Sequence, residues 1–447
     1  MNSSKVPRTT ACGENSVSIF SGYSLMLAGL LVVSGCAVYV EPLMPTPAIY
    51  EVNDFGPLDK IPADEHWNLR QVYYATTRTR DDDLQKIDYS NTESDEVSIG
   101  MCLIGFGNDN MTWEDLSEVS RRTQRENVVP LSIAGIMEVG RYPYDASGPV
   151  ADKTGATNWL MTDINKSIES SRDRDILIYV HGAKVNFYNA AVFAAQLDHF
   201  MGRDMTSVAF SWPTRQNILA YVMGDDSERA YRSAAGLNSF ITLLSEKTSA
   251  RRIHILTWSA GGRLVASALS QLRELHPEET HEELSERYRL GVVYFAAADV
   301  PKDEFIEALP AMNDLAQRIV VTGSSRDEAL QSAQVFMGGS TRIGQSSVEL
   351  SDEQREKVLL ANRLEYVNLS KGTESRGFDI TGHRYWFNHP WASSDVLLAI
   401  RTDLGPAQRG LEQGDLPMVW WMPDDYPERL KQVGALSSEQ LRQKDNR

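Results

Sequence analysis

The residues that could do chemistry in this chain are a serine, a histidine and two aspartates, all in its second half. Ser259 stands in Thr257-Trp258-Ser259-Ala260-Gly261-Gly262, between an apolar run and the amphipathic stretch Arg263-Leu264-Val265-Ala266-Ser267-Ala268-Leu269. A serine on a sharp strand-to-helix turn needs small residues two positions before and after it, because the turn brings those backbones together. Gly261 meets that need and Thr257 meets it less well. A helix starting at Gly262 would aim its N-terminal dipole at negative charge developing beside the Ser259 hydroxyl. A second apolar run, Ile176 to Val180, ends in His181-Gly182-Ala183. The N–H groups of Ala183 and Ala260 could together hold an oxyanion. His383, in Thr381-Gly382-His383-Arg384-Tyr385, supplies a candidate general base, and a carboxylate behind it would fix its tautomer. Two carboxylates compete for that place. Asp327 follows the run ending near Thr322, and Asp299 follows the run Gly291 to Ala298, where it could equally cap the next helix.

Other reactive side chains have plainer explanations. His181 reads as a hydrogen-bonder that orders its loop, since the turn demands its backbone rather than its ring. His276 and His281 lie in the charged stretch HPEETHEELSER, which suits a solvated helical face. No H-E-x-x-H or clustered Cys/His spacing occurs, so no metal centre is expected. No glycine-rich dinucleotide or phosphate-binding loop follows an expected strand, so no organic cofactor is expected either. Cys102, in Met101-Cys102-Leu103-Ile104, reads as a packed core thiol without a basic neighbour to lower its pKa. Trp212, Trp258, Trp386 and Trp391 neighbour these motifs, and serve equally as an aromatic wall or as ordinary core residues.

The elements that must position these groups follow from the hydrophobic pattern. Short, nearly all-apolar strands are expected at Ile176 to Val180, Ser207 to Ser211, Ile253 to Trp258, Gly291 to Ala297, Arg318 to Thr322 and Glu365 to Leu369. Helices are expected at Asn189 to Met201, Ser227 to Thr248, Gly262 to Leu275, Asp303 to Leu315 and Ser394 to Thr402. Such alternation predicts an α/β fold with a mostly parallel central sheet flanked by helices. Ahead of it, from His66 to Ser170, strand-like runs at Val72 to Thr76, Ser98 to Ile104 and Leu131 to Met137 predict a β-rich N-terminal elaboration, with Asp81 to Glu96 as an acidic loop.

With these motifs in place, the chain resembles the α/β-hydrolase superfamily. More narrowly, it is similar to a bacterial branch of hydrolases of unknown function that carries a Y-A-T-x-R segment ahead of the fold. The matching residues are Tyr74-Ala75-Thr76-Thr77-Arg78, Ile176 to Gly182, Phe210-Ser211-Trp212-Pro213-Thr214-Arg215, Trp258 to Gly262, Ser325-Arg326-Asp327-Glu328-Ala329-Leu330, Gly382-His383-Arg384-Tyr385, and Trp421-Met422-Pro423-Asp424-Asp425-Tyr426-Pro427. The resemblance implies a triad of Ser259, Asp327 and His383, and it favours Asp327 over Asp299 as the acid. It departs from that branch at Trp258, where His is usual, and at Ala183-Lys184-Val185-Asn186, where Phe-Asn-Asn is more familiar. Both departures bear on the pocket rather than on the triad. The implied activity is carboxylic-ester hydrolysis of a small-molecule or lipid ester. The alternatives are amidase, thioesterase or acyltransferase chemistry on the same triad, or a non-catalytic envelope protein that binds through this scaffold.

Composition and the N-terminus set the context. The 447 residues carry 44 basic and 61 acidic side chains, a formal charge of −17 that disfavours nucleic acid as a partner. Lys5 and Arg8 precede an uncharged stretch from Asn15 to Val40 whose greasiest part is Leu25 to Val33, as in an export signal. It ends in Val33-Ser34-Gly35-Cys36, which resembles a bacterial lipobox and implies cleavage before a diacylated Cys36. The expected organisation is a lipoprotein signal peptide over 1–35, a Pro-containing tether over 36–65, the β-rich elaboration over 66–170, the catalytic domain over 171–430 and a polar tail over 431–447. The expected location is the bacterial cell envelope, lipid-anchored, with Ala37 after the cysteine compatible with the outer membrane; an uncleaved membrane helix is the alternative.

Overall fold

Continuous apolar segments can be satisfied only by burial on both faces, and the observed sheet does this. In the computed structural model, the described residues are 41–81, 87–145, 148–149, 154–217, 224–325, 327, 330, 334, 341–345, 350–370 and 383–434. The signal-peptide and lipobox residues, Cys12, Cys36 and the stretch 435–447 lie outside them. The strands are β1 (Leu69–Arg80), β2 (Tyr89–Phe106), β3 (Leu131–Asp145), β4 (Gly148–Pro149), β5 (Ile176–Val180), β6 (Thr206–Ser211), β7 (Ile253–Trp258), β8 (Leu290–Ala296), β9 (Ala316–Gly323), β10 (Leu364–Asn368), β11 (Glu412–Gln413) and β12 (Val419–Trp421). They form one sheet in the order β11-β12-β10-β9-β8-β7-β5-β6-β1-β2-β3-β4. From β12 to β1 every neighbouring pair is parallel, whereas β2, β3 and β4 at one end and β11 at the other pair antiparallel.

Alternate residues of each central strand face opposite cores. Ile176, Ile178 and Val180 point to one side with Ile253 and Ile255, and Leu177 and Tyr179 point to the other with Leu256 and Trp258. The first face is covered by α2 (Ala156–Ser170), α4 (Asp225–Lys247), α5 (Gly261–Glu274) and α6 (Lys302–Leu315), and the second by α1 (Ala48–Val52), α3 (Phe187–Phe200) and α7 (Pro390–Arg401). The six expected parallel strands and five expected helices are all present, with ends moved by at most a few residues. Among the described residues no helix is long and apolar enough to cross a membrane.

The N-terminal part differs from expectation in three respects. Residues 41–50, read as tether, are packed: Leu43, Met44, Ala48, Ile49 and Tyr50 are buried against α3 and α7, and the backbone donates to Gln196 Oε1 from Met44 at 2.8 Å and to Ser394 Oγ from Ile49 at 3.1 Å. Their apolar side chains close the second core, which a solvated linker could not do. The expected acidic loop ends early, because Tyr89 to Glu96 already belongs to β2, pairing Arg80 with Tyr89 and Arg78 with Glu93. The last part of the expected β-rich region is helical: in α2, Leu160, Met161, Ile164 and Ile168 form one buried stripe at helical spacing. The elaboration is continuous with the hydrolase sheet, since β1 runs parallel to β6. At the other end Leu430 and Val433, in the helical stretch 426–434, are buried, so the chain is still packed where a polar tail was expected.

Candidate active site

The sheet winds outward in both directions from β5: β6 lies on one side of it and β7 on the other. Such a reversal leaves a crevice beyond the C-terminal ends of the two strands. Val180 pairs with Thr257, so His181-Gly182 and Trp258-Ser259 leave the sheet side by side. Ser259 has φ of 53°, the left-handed region that a non-glycine residue adopts only under strain. Three backbone bonds brace it: its N–H donates to Ala296 O at 3.1 Å, and its carbonyl accepts from Asp299 N–H and from Gly262 N–H, each at 3.0 Å. The turn is also crowded. A Cβ at Gly182 would stand 2.9 Å from the Ser259 Cβ, and one at Gly261 would stand 2.5 Å from the His181 carbonyl oxygen. Ala260 caps α5 directly after the serine, and Ala183 follows Gly182 on the facing loop.

His383 meets the serine from another part of the chain. Its Nε2 lies 2.8 Å from Ser259 Oγ, and its Nδ1 lies 2.8 Å from Asp327 Oδ2. A carboxylate against Nδ1 holds the proton there, leaving Nε2 to accept from the hydroxyl. Asp327 is fully buried, and its other oxygen accepts from Leu330 N–H at 3.0 Å. Ser259 is 6% exposed and the His383 side chain 13%, so the pair borders the surface at the mouth of the crevice. Asp299 is occupied elsewhere: its buried carboxylate faces Arg342 Nε at 2.7 Å and Arg263 Nη2 at 3.4 Å. Arg326, Glu328, Ala329, Thr381 and Gly382, quoted with the sequence motifs, lie outside the described residues.

His181 orders its loop rather than facing a substrate. Its Nε2 accepts from Trp212 N–H at 3.1 Å, its Nδ1 donates to Gly182 O at 2.8 Å, and its ring stacks on Trp212. Burial and the charge of Arg78 hold its pKa well below the ordinary imidazole value, so it stays neutral. Of the four tryptophans, Trp258 borders the His383 ring at 5.6 Å, in an aromatic cluster with Phe193, Trp386 and Phe387. Trp212 and Trp386 are fully buried, and Trp391 packs on His389 and Tyr426. Arg384 stacks its guanidinium over Trp258 at 5.7 Å, giving the mouth a partly exposed cation. His276 and His281 are tied to Tyr288 and to the Asp314 carbonyl, and among the described residues no His, Cys, Asp or Glu group is arranged to hold a metal ion. Cys102 is buried, and burial pushes its thiol far up, away from nucleophile chemistry.

Arg78 is the site residue that sequence reasoning passed over. The motif drew attention to it, yet nothing in spacing says that its guanidinium reaches the His181 loop, where Nη2 donates to Val185 O at 2.6 Å. The available signal was a cation ending the run of buried residues in β1. Burial, with the charge of Arg229, lowers its pKa to about 9 against the pull of Asp226, so it remains a cation at neutral pH.

Comparison with known proteins gives a family match and a distant structural neighbour. A solved structure titled as a putative hydrolase from Legionella pneumophila subsp. pneumophila strain Philadelphia 1 shares 11% identity over 91% of this chain and 98% of its own, with a TM-score of 0.26, too distant to bear on function. No curated protein matches the chain. The family described as alpha/beta hydrolase of unknown function (DUF900) matches residues 156–401, from α2 through α7 and so across Ser259, Asp327 and His383. With more than half of its length matched, on a sheet whose switch point carries a strained serine, the chain belongs to this α/β-hydrolase family.

Proposed function

We propose that this protein is a serine hydrolase acting on carboxylic esters and held on a membrane through a lipidated Cys36. The observation that carries the reading is the relay of Ser259 Oγ, His383 and Asp327, with both contacts at 2.8 Å. In the proposed reaction, Ser259 attacks the acyl carbonyl as His383 Nε2 takes its proton, and Asp327 stabilises the resulting imidazolium. The N–H groups of Ala183 and Ala260 receive the oxyanion. His383 then protonates the departing alcohol, and a water molecule activated by the same ring releases the acid from Ser259. The Trp258 cluster offers apolar surface to one side of the ester. The chemistry needs no metal or organic cofactor.

A non-catalytic platform would be favoured by an imidazole out of reach of the serine, and the 2.8 Å separation speaks against it. The test is labelling of the full chain by a fluorophosphonate probe. Wild type is expected to label and Ser259→Ala to remain unlabelled; equal labelling of both would end the proposal. Nitrophenyl esters of graded chain length, run beside an amide counterpart, separate ester from amide preference. Anchoring is tested by Cys36→Ser, expected to move the protein from the detergent phase to the aqueous phase.

A further inference from the structure

The loop that presents Ala183 is fastened at both ends. At one end, Trp212 donates its backbone N–H to His181 Nε2 at 3.1 Å and its Nε1–H to His181 O at 2.7 Å. At the other end, the Val185 carbonyl accepts from Arg78 Nη2 at 2.6 Å and from Thr214 Oγ1 at 2.7 Å. Between them Lys184 has φ of 60°, left-handed for a residue that is not glycine. Such a conformation persists only where its surroundings impose it.

Arg78, on β1, reaches three other segments at this point. Its fully buried guanidinium also donates through Nε to Ser211 Oγ at 2.8 Å, and through Nη1 to Asn91 Oδ1 at 2.7 Å and to Ser90 O at 3.2 Å. Each of these partners is neutral, so the residue acts as a rigid planar fork rather than as half of an ion pair. The fork ties β1, the start of β2 and the end of β6 to the loop that follows β5.

We propose that Arg78 is a positioning residue for the Gly182–Val185 loop: with Thr214 it pins the Val185 carbonyl, keeps Lys184 left-handed and so holds the Ala183 N–H toward the Ser259 hydroxyl. This rests on the proposal that Ser259 is the nucleophile and Ala183 an oxyanion donor. It also gives the N-terminal strands a task, since β1 must lie beside β6 for Arg78 to reach the loop.

Full-length Arg78→Met, Arg78→Lys and Thr214→Val are compared with wild type in two assays: the rate of phosphonate labelling at Ser259, and kcat and KM on a nitrophenyl ester. Misplacing an oxyanion donor weakens an interaction made in the transition state, so kcat should fall while KM holds. Arg78→Met is expected to lower both kcat and the labelling rate by roughly 100-fold, the low end for loss of one such donor, with KM within about threefold. Arg78→Lys keeps the charge but not the fork and should recover part of that loss, and Thr214→Val should cost several-fold. Unchanged kcat and labelling in a folded Arg78→Met protein, or a change confined to KM, overturns the inference. Should Arg78→Met fail to fold, wild-type rates in both Arg78→Lys and Thr214→Val overturn it equally. A wild-type chain unlabelled at Ser259 sinks the nucleophile proposal and this inference with it, whereas a labelled wild type with unaffected variants sinks this inference alone.

Discussion

At the scale of single residues, two buried aspartates of the same half of the chain have separate tasks. Asp327 receives the His383 ring, while Asp299 sits between Arg342 and Arg263 and donates its backbone N–H to the Ser259 carbonyl. Their amide variants should therefore fail differently. Asp327→Asn leaves the volume intact but no longer holds the proton on His383 Nδ1, and is expected to lower ester turnover by roughly 10³- to 10⁴-fold with little change in stability. Asp299→Asn removes the buried carboxylate charge that faces Arg342 and Arg263, a kind of loss that costs about 3–5 kcal/mol. Phosphonate labelling combined with urea denaturation separates the two, and a stability loss in Asp327→Asn with turnover intact would reverse the assignment. The serine, the histidine and both acids were readable in the sequence because each stands beside a recognisable strand or turn. The choice between the acids was legible only through the family resemblance, which favours Asp327; spacing alone left it open, because it depends on which carboxylate the fold brings to His383 and which to the arginines.

At the scale of elements, the site depends on how closely α5 and the end of β5 approach. Gly261 allows this, since an added Cβ would fall 2.5 Å from a backbone oxygen that cannot swing aside. Gly261→Ala is expected to cost about 1–3 kcal/mol as overpacking and to slow labelling of Ser259 by more than tenfold, measured by thermal melting and probe kinetics. Wild-type labelling in this variant would mean that the turn tolerates a wider separation. The strands were legible because runs such as Ile176 to Val180 have no polar residue to place in water. Helix α2 was missed because its buried stripe follows directly on a region of long strands, and only its docking against the first core distinguishes the two periods.

At the scale of the whole molecule, β1 lies between β6 and β2, so the N-terminal strands complete the hydrolase sheet. A chain starting near Arg174 would expose the edge of β6 and the apolar faces that β1 and α2 cover. Such a chain is expected to be insoluble or unfolded, whereas residues 41–434 should fold; a stable, active fragment beginning near Arg174 would contradict this. At the opposite end of the strands from the site, Asp175 binds Arg251 at 2.8 Å, Arg252 at 3.1 Å and His254 at 3.3 Å. Burial alone would raise its pKa, but the hydrogen bonds from His254 and Arg251 outweigh burial, and the net shift is downward. A depressed folded-state pKa gives stability that is present above the unfolded carboxylate value, about 3.9, and is lost as pH falls through the folded value. Urea midpoints should therefore drop between pH 7 and pH 3, and Asp175→Asn should be less stable at pH 7 with a smaller drop. An unchanged drop in that variant would remove Asp175 as a source of the acid sensitivity.

What the sequence determined by itself was local: which runs must be buried on both faces, where a serine sits on a tight turn, and which histidine and carboxylates follow it in order. These are properties of a few consecutive residues, and hydrophobic period and steric need express them directly. The tertiary structure decided everything that depends on distant segments meeting. It brought His383 to Ser259, gave Asp299 to two arginines, packed residues 41–50 into a core where a tether was expected, and carried Arg78 from β1 to the loop after β5. The physical reason is that a buried polar group is satisfied by whichever partner the packed chain delivers, and that partner has no fixed distance from it in sequence.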